Sequence, residues 1–433
     1  MNYDTDCLNR FPTLWAATAR EGDDTRPLPG DTDCDVAVIG AGYTGLATAI
    51  GLARAGTDVV VIDGGHPGWG GSGRNSGAVI RGFKNSRTKL IAEFGETRGR
   101  ALAEFGATNT QVVYDLIDRY AIDCDLKRTG WILAAHGARG MAETEERQRT
   151  WTADGVGGLE MIGRDDMARL LGSAAYDGGM IDLEGASINP LAYARGLARG
   201  AMAEGARIHS GTEATSYARE GDRWRVRTPR GTLSASQVVM ATNAYSMRLV
   251  PSIERSMATI HTNIVATDIL PPQIADAILP GEQAVSDSRR VLYYWHKTPE
   301  GRVLFGTRGQ MAGPTGEGSF THVEAAMTSV YPQLAGQPIA FRWSGRVALT
   351  RDFLPHVDRP EPGLWTAHGY CGRGVAMASA FGTLMAQAML EGRAQADLPV
   401  PNDPAPPLPP GPLKDLGVYA TTQFYRLLDR ANL

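Results

Sequence analysis

Regular patterning begins at Asp35–Ile39, a short apolar run of strand length. Thr44–Ala55 follows, rich in Ala and Leu, and predicts a helix. Thr57–Ile62 is almost all β-branched and predicts a second strand. Strand, helix and strand in that order form a βαβ unit, which implies a parallel sheet in an α/β domain. From about residue 86 to 185 the pattern turns helical, at Arg100–Asp118 and Met141–Asp154, with few long strands. A helix returns at Pro190–Glu204, and strands are predicted at Ala206–His209, Trp224–Thr228 and Ser236–Ala241. Residues 251–345 are strand-rich, with Ile260–Ala266, Arg290–Trp295 and Arg302–Gly306. Val375–Leu390 is apolar along its length and closes on Glu391-Gly392, a helix with a glycine stop.

The two ends read differently. Residues 1–34 form a polar leader with one apolar patch, Leu14-Trp15-Ala16-Ala17. Eight prolines between Pro399 and Pro412 predict an extended strap packed on the surface. A motif for a proline-recognising partner is the other reading of that run. A short helix ends the chain, with Phe424, Leu427 and Leu428 on one face.

Composition narrows the class. A chain of 433 residues exceeds what one core usually serves, so two domains are expected. A net charge of −4 supplies no bulk basic field for nucleic acid or acidic membranes. The basic residues are nearly all arginine; the lysines are Lys84, Lys89, Lys127, Lys297 and Lys414. Cys7, Cys34, Cys124 and Cys371 form no CxxC pair, which argues against structural zinc or a dithiol centre, and no metal site is expected. No apolar run reaches the roughly 18 residues of a membrane span. Met1–Arg20 lacks the basic start and apolar stretch of a secretory signal, so the cytoplasm is the expected location.

Gly40-Ala41-Gly42-Tyr43-Thr44-Gly45 is a G-x-G-x-x-G that follows a strand, opens a helix and precedes a strand ending at Asp63, 18 positions after Gly45. Gly40 permits a tight turn, Gly42 lets the backbone approach a pyrophosphate, and Gly45 lets the helix pack close to the sheet. The helix start at Tyr43 and Thr44 offers free N–H groups to phosphate, and Asp63 can accept ribose hydroxyls. The motif alone leaves FAD and a nicotinamide dinucleotide both open. A second glycine-dense stretch, Gly68–Gly77, follows at once. Ordering it loses entropy, so a long cofactor lying across it is expected to hold it. Its Ser72, Arg74 and Asn75 add donors suited to phosphate or flavin edges.

At this point the sequence resembles the D-amino acid oxidase superfamily of FAD-dependent amine oxidoreductases, nearest to the branch of gamma-glutamylputrescine oxidoreductase. The matching pieces run nearly the full length: Asp35–Gly45, Gly68–Gly77, Ala186–Pro190, Val238–Tyr245, Tyr293–Gly306, Arg342–Pro355 and Gly369–Val375. The resemblance implies a Rossmann-type FAD domain built from discontinuous segments, 30–85, 186–250 and 346–395. A substrate domain with an antiparallel sheet and helices would fill 86–185 and 251–345, with 396–433 as strap and terminal helix. It adds Gly64, Trp69, Gly71, Ser76, Ala214, Thr242 and Asn243 to the residues expected around FAD. Gly369, Cys371, Gly372, Arg373, Gly374 and Val375 would pass the flavin ring, with the helix from Val375 aiming its positive end at the pyrimidine edge. The FAD is expected to be non-covalent. The family often has Ser and His where this chain has Cys371 and Arg373, which raises a flavin–cysteine bond as a lesser alternative.

The chemistry implied is oxidation of the C–N bond of an amine or N-substituted amino acid to an imine, which water hydrolyses, with O2 or another acceptor completing the cycle. Catalytic candidates are Arg373, Arg346, His296 and Tyr294. Arg346 lies near where amino-acid-oxidising relatives place a carboxylate-binding arginine; Arg342 and Arg351 are weaker candidates. Tyr293, Tyr294, Trp295 and His296 alternate faces and could box an alkylamine or simply pack a core. The strand Arg302–Gly306 lacks the lysine that monomeric sarcosine oxidases carry for oxygen activation. Rival readings are a flavin monooxygenase, disfavoured by the absence of an acid in Gly369–Gly374, an FAD-dependent dehydrogenase, and a flavin-holding subunit of a larger complex.

Overall fold

The computed structural model describes residues 6–246 and 249–431. The expected leader at 1–5, and residues 247–248 and 432–433 of two expected segments, lie outside the described residues.

The first sheet carries eight strands drawn from three stretches of the chain. Leu364–His368, Gly231–Met240, Thr32–Ile39, Val59–Ile62 and Arg207–His209 run parallel, in that order. His356–Glu361 adds an antiparallel edge, and Ser216–Glu220 with Arg223–Thr228 form a flap on Gly231–Met240. Val59–Ile62 is buried on both faces: Val59 and Val61 meet the helix side, Val60 and Ile62 the opposite core. Burial on both sides is why that strand reads as a continuous apolar run rather than an alternating one.

The helices Tyr43–Arg54, Pro190–Ala203 and Gly374–Glu391 share the core on one face. Two of them touch through almost no side chain. A Cβ on Gly51 would lie 2.5 Å from Cβ of Ala386, and one on Gly382 would lie 2.4 Å from the Thr44 carbonyl. Thr48 Oγ1 reaches the Gly382 carbonyl at 3.1 Å. The close approach sets the N-termini of Tyr43–Arg54 and Gly374–Glu391 on a common cavity.

The second sheet also has eight strands: Ile339–Thr350, Met257–Thr267, Val303–Arg308, Tyr294–Lys297, Ala284–Asp287, Trp131–Ala135, Gly178–Asp182 and Leu159–Gly163, in spatial order. All pairs are antiparallel except Ala284–Asp287 with Trp131–Ala135. One face packs under Arg164–Leu171 and Thr321–Val330, around Trp295, Phe305 and Phe320. The other face looks toward the first unit. The mixed α/β class and the discontinuous build match the expectation.

Several elements differ from the sequence pattern. The expected strand Arg290–Trp295 begins only at Tyr294. The residues before it turn, because Asp287 accepts from the Arg289 and Tyr293 amides and Asp429 from those of Arg290 and Val291. Trp131–Ala135, Leu159–Gly163 and Gly178–Asp182 are five residues each and went unpredicted inside the helical stretch. The terminal helix is longer than expected, Pro412–Arg430, with proline in its first turn. The strap before it is tied to the body by Val357 N–H to the Pro401 carbonyl and Leu408 N–H to the Arg255 carbonyl. The leader's apolar patch forms the helix Leu14–Thr18, with Trp15 buried.

The helix contact generates a prediction. Gly382→Val forces the Thr44 backbone away and should lower stability by about 1–3 kcal/mol, read as a lower Tm in calorimetry. Gly417→Ala, whose added Cβ meets nothing within 4 Å, should hold or raise Tm.

Candidate functional site

A cavity of about 1200 Å³ runs between the two sheets. Its first end is the G-x-G-x-x-G turn. Gly40, at φ +109°, leaves no room for a side chain, since a Cβ would sit 2.9 Å from the Ala241 carbonyl oxygen. On Gly42 a Cβ would lie 2.8 Å from Ser72 Oγ, so the bare backbone faces the cavity. Gly45 is off the wall; a Cβ there would lie 2.0 Å from the Gly40 carbonyl, which makes it the contact that seats the helix on the strand. Asp63 accepts from the Ala41 amide at 2.8 Å and the Gly65 amide at 2.7 Å. Burial pushes its carboxyl pKa up, and those two amides oppose the shift.

Hydrogen bonds from the protein itself hold part of the glycine-dense stretch. Asn75 donates to the Ser72 carbonyl and accepts from the Gly77 amide. The Tyr43 hydroxyl donates to the Ser72 carbonyl at 2.5 Å, and Trp15 Nε1 donates to the Asn75 carbonyl at 2.8 Å. Arg74 is not on the wall. Its Nε donates to the Trp69 carbonyl and its Nη1 to that of Ser344, stapling the stretch to the strand Ile339–Thr350.

Of the expected cofactor residues, Gly64, Trp69, Gly71, Ser72, Asn75 and Ser76 line the cavity, with Tyr43 and Thr44 beside them. Ala214, Thr242 and Asn243 line it from the first sheet. Cys371, Gly372, Gly374 and Val375 line it from the second helix start. Gly369 stands behind the wall, its amide bonded to Asn243 Oδ1. Cys371 has φ +51° and is buried; burial raises its pKa, so it stays a thiol, with Sγ 3.0 Å from the Gly369 carbonyl. A neutral thiol is a poor nucleophile.

The catalytic candidates separate. Tyr294 lines the cavity, its ring lying over Gly306, where a Cβ would approach it within 2.2 Å. Arg346 lines it too, but it pairs with His261, one residue out of step with Thr262, and so leaves the sheet on the other face. Its guanidinium lies over the Tyr245 ring and its carbonyl beside Gly71. Arg373 does not reach the wall. It donates to the Arg81 carbonyl at 3.0 Å and lies over Trp131, tying the helix start to the segment before Lys84. His296 is also away from the cavity, enclosed beside Trp15, with neither ring nitrogen hydrogen-bonded among the described residues. Trp295 belongs to the core, and Arg342 pairs with Glu324. Arg351 is on the wall.

Three parts of the wall went unforeseen. Lys84 and Arg308 line the second end. The terminal helix closes it with Leu413, Lys414, Gly417, Val418, Thr421 and Tyr425. It is pinned by Lys414 Nζ to the Glu254 and Met257 carbonyls and by Asp429 to the turn at Arg290. Among its described residues only the Thr422 side chain is buried, so nothing in its own pattern announced a docked helix.

A βαβ glycine cradle, two helix N-termini and a cavity long enough for a dinucleotide define a dinucleotide-dependent oxidoreductase. Residues 35–388 match the family described as FAD dependent oxidoreductase, DAO. Gamma-glutamylputrescine oxidoreductase of Escherichia coli is 30% identical over 422 residues, covering 96% of this chain and 98% of that one. "Probable oxidoreductase OrdL" of Haemophilus influenzae is 29% identical over 413 residues, covering 93% and 94%. The glycine oxidase structure from Geobacillus kaustophilus superposes with a TM-score of 0.69 at 21% identity, over 84% of this chain and 96% of that chain. The chain belongs to the DAO family of FAD-dependent oxidoreductases. Among the described residues no helix is long and apolar enough to cross a membrane.

Two predictions follow from this geometry. Burial holds His261 and His296 down to about 4 and His368 to about 3. They stay neutral in the fold, while the unfolded chain takes up their protons below about pH 6.5. Stability should therefore fall as pH drops from about 6.5 toward 4, by at most about 1.4 kcal/mol per pH unit per histidine. His296→Phe should flatten that slope in denaturant titrations across the window; an unchanged slope removes His296 from the account. Deleting residues 412–433 should leave a folded, FAD-holding protein whose bound flavin is quenched more strongly by iodide than in the full chain.

Proposed function

We propose that this enzyme oxidises the C–N bond of an amine or amino acid to an imine, which water then hydrolyses. The observation that carries the reading is one continuous cavity. It joins the cradle at Gly40, Gly42 and Asp63 to a second end lined by Tyr294, Lys84 and Arg308. The names of relatives, gamma-glutamylputrescine oxidoreductase and glycine oxidase among them, support the substrate class.

FAD, when bound, supplies the two-electron acceptor that breaking an amine C–H bond requires. The unit on the parallel sheet would hold it. The amides at Tyr43 and Thr44, with Ser72, would take the pyrophosphate at a helix N-terminus. Asp63, already oriented by Ala41 and Gly65, would accept from ribose hydroxyls. Gly372, Gly374 and Val375 would set the second helix N-terminus against the ring, favouring negative charge there. Arg346 would serve the cofactor side through Tyr245 and Gly71. Ile260, Thr262 and Tyr294 would wall the substrate side and exclude water. The Tyr294 phenol, bonded to Thr262 and pushed up by burial, stays protonated.

A second reading, a flavin-holding subunit of a larger assembly, is favoured by Leu416, Tyr419, Phe424 and Leu427, all exposed on the terminal helix. Size measurement on the pure protein beside an activity screen separates the two.

The test is anaerobic mixing of the FAD-loaded protein with a panel of amines and amino acids. Bleaching of the flavin absorbance is expected with at least one class, and admitting air then reports the acceptor. A protein that holds FAD and is bleached by none sinks the proposal. Asp63→Ala strands two buried amides and should weaken FAD binding by about tenfold or more, measured by fluorescence titration of the FAD-free protein.

A further inference from the structure

Lys84 and Arg308 share the second end of the cavity. Arg308 pairs with Thr262, and Gly306 two residues earlier pairs with Tyr294. The Arg308 side chain therefore leaves the sheet on the face that looks into the cavity. Its Nη2 is closed off from solvent and hydrogen-bonded to nothing among the described residues. The Lys84 ammonium lies 4.5 Å from the centre of the Phe353 ring, a weaker partner than a carboxylate.

The charges around the two have their own sign. Burial lowers the Lys84 pKa and the charges of Arg373, Arg308 and Lys89 add to that shift, while Arg308 feels Arg426 of the terminal helix. Burial pulls Arg308 down to about 10, which leaves it charged at neutral pH. The acids on the cavity wall are Asp63 and Glu213. Both sit in the dinucleotide cradle: Asp63 is bonded to Ala41 and Gly65, and Glu213 packs on Gly64. Neither acid is among the charges that Lys84 and Arg308 feel.

We propose that Lys84 and Arg308 form a clamp for a doubly anionic substrate, an amine whose carbon skeleton carries two carboxylates. The proposal rests on the cavity being the site of amine oxidation. Lys84 is exposed and Arg308 half-buried, and no carboxylate among the described residues pairs with either, so two neighbouring positive charges favour a ligand carrying about two negative ones. A single carboxylate leaves one of them uncompensated, and a cationic polyamine is repelled by both. The guanidinium fork takes one carboxylate through paired N–H bonds, and the ammonium takes the other as a point charge. Thr421 and Tyr425 of the terminal helix close the space beyond and limit the length of the acid.

The probe is succinate, which has two carboxylates and no C–N bond; propionate is the one-carboxylate comparison. Each is titrated by calorimetry, in low-chloride buffer, into the FAD-loaded and the FAD-free protein. Succinate should bind about tenfold or more tightly than propionate. Arg308→Gln and Lys84→Gln should each remove about tenfold of that affinity, and the double variant should bind both acids equally. Arg308→Lys, which keeps the charge without the fork, should fall between. Equal binding of the two acids by the unaltered protein overturns the clamp. So does full succinate affinity in a folded, FAD-holding Arg308→Gln. If amines bleach the flavin and succinate does not compete, the clamp falls and the oxidation stands. If succinate binding needs both cations and no amine bleaches the flavin, the clamp stands and the oxidation falls.

Discussion

The near-bare contact between Tyr43–Arg54 and Gly374–Glu391 is the constraint on which the site depends. Gly51 against Ala386, and Gly382 against the Thr44 carbonyl, let two helices approach closer than side chains would permit. Their N-termini then open on one cavity, and their positive ends act together. The first terminus follows the glycine turn after Thr32–Ile39. The second follows Leu364–His368, more than 300 residues later. Neither end alone makes a site for a molecule as long as FAD.

The second sheet supplies what the first lacks, a wall without a dinucleotide cradle and with cations. Its cavity face carries Ile260, Thr262, Tyr294 and Arg308, while its other face is an ordinary apolar core around Trp295 and Phe305. Gly306 matters here because its missing side chain lets the Tyr294 ring lie flat over the strand. The terminal helix contributes by position rather than by packing. Val418 and Tyr425 line the cavity while Leu416, Tyr419 and Leu427 stay in solvent.

Much of this was legible along the chain. The cradle from Asp35 to Asp63 could be read because its signals are local: a strand, three glycines at fixed spacing, a helix and an acid. Gly369–Val375 could be read as a helix start for the same reason. Arg346, Arg373 and His296 could not be placed, because a side chain's destination depends on strand parity and on what packs behind it. Register put Arg346 on the face opposite Thr262, Trp15 enclosed His296, and Trp131 with the Arg81 carbonyl captured Arg373. Lys84 and Arg308 carried no motif at all. Their meaning comes from the carboxylates that are missing around them.

By itself the sequence determined the α/β class and the dinucleotide cradle, since each rests on short-range pattern and spacing, while the split build and the choice of FAD came from its resemblance to a family. The tertiary structure alone decided which of many arginines stand in the cavity, which are spent on stapling, and that the chain's last helix forms a wall. Those outcomes are set by contacts between residues far apart in the chain, such as Asp429 with the turn at Arg290 and Arg74 with Ser344, and no local pattern encodes them.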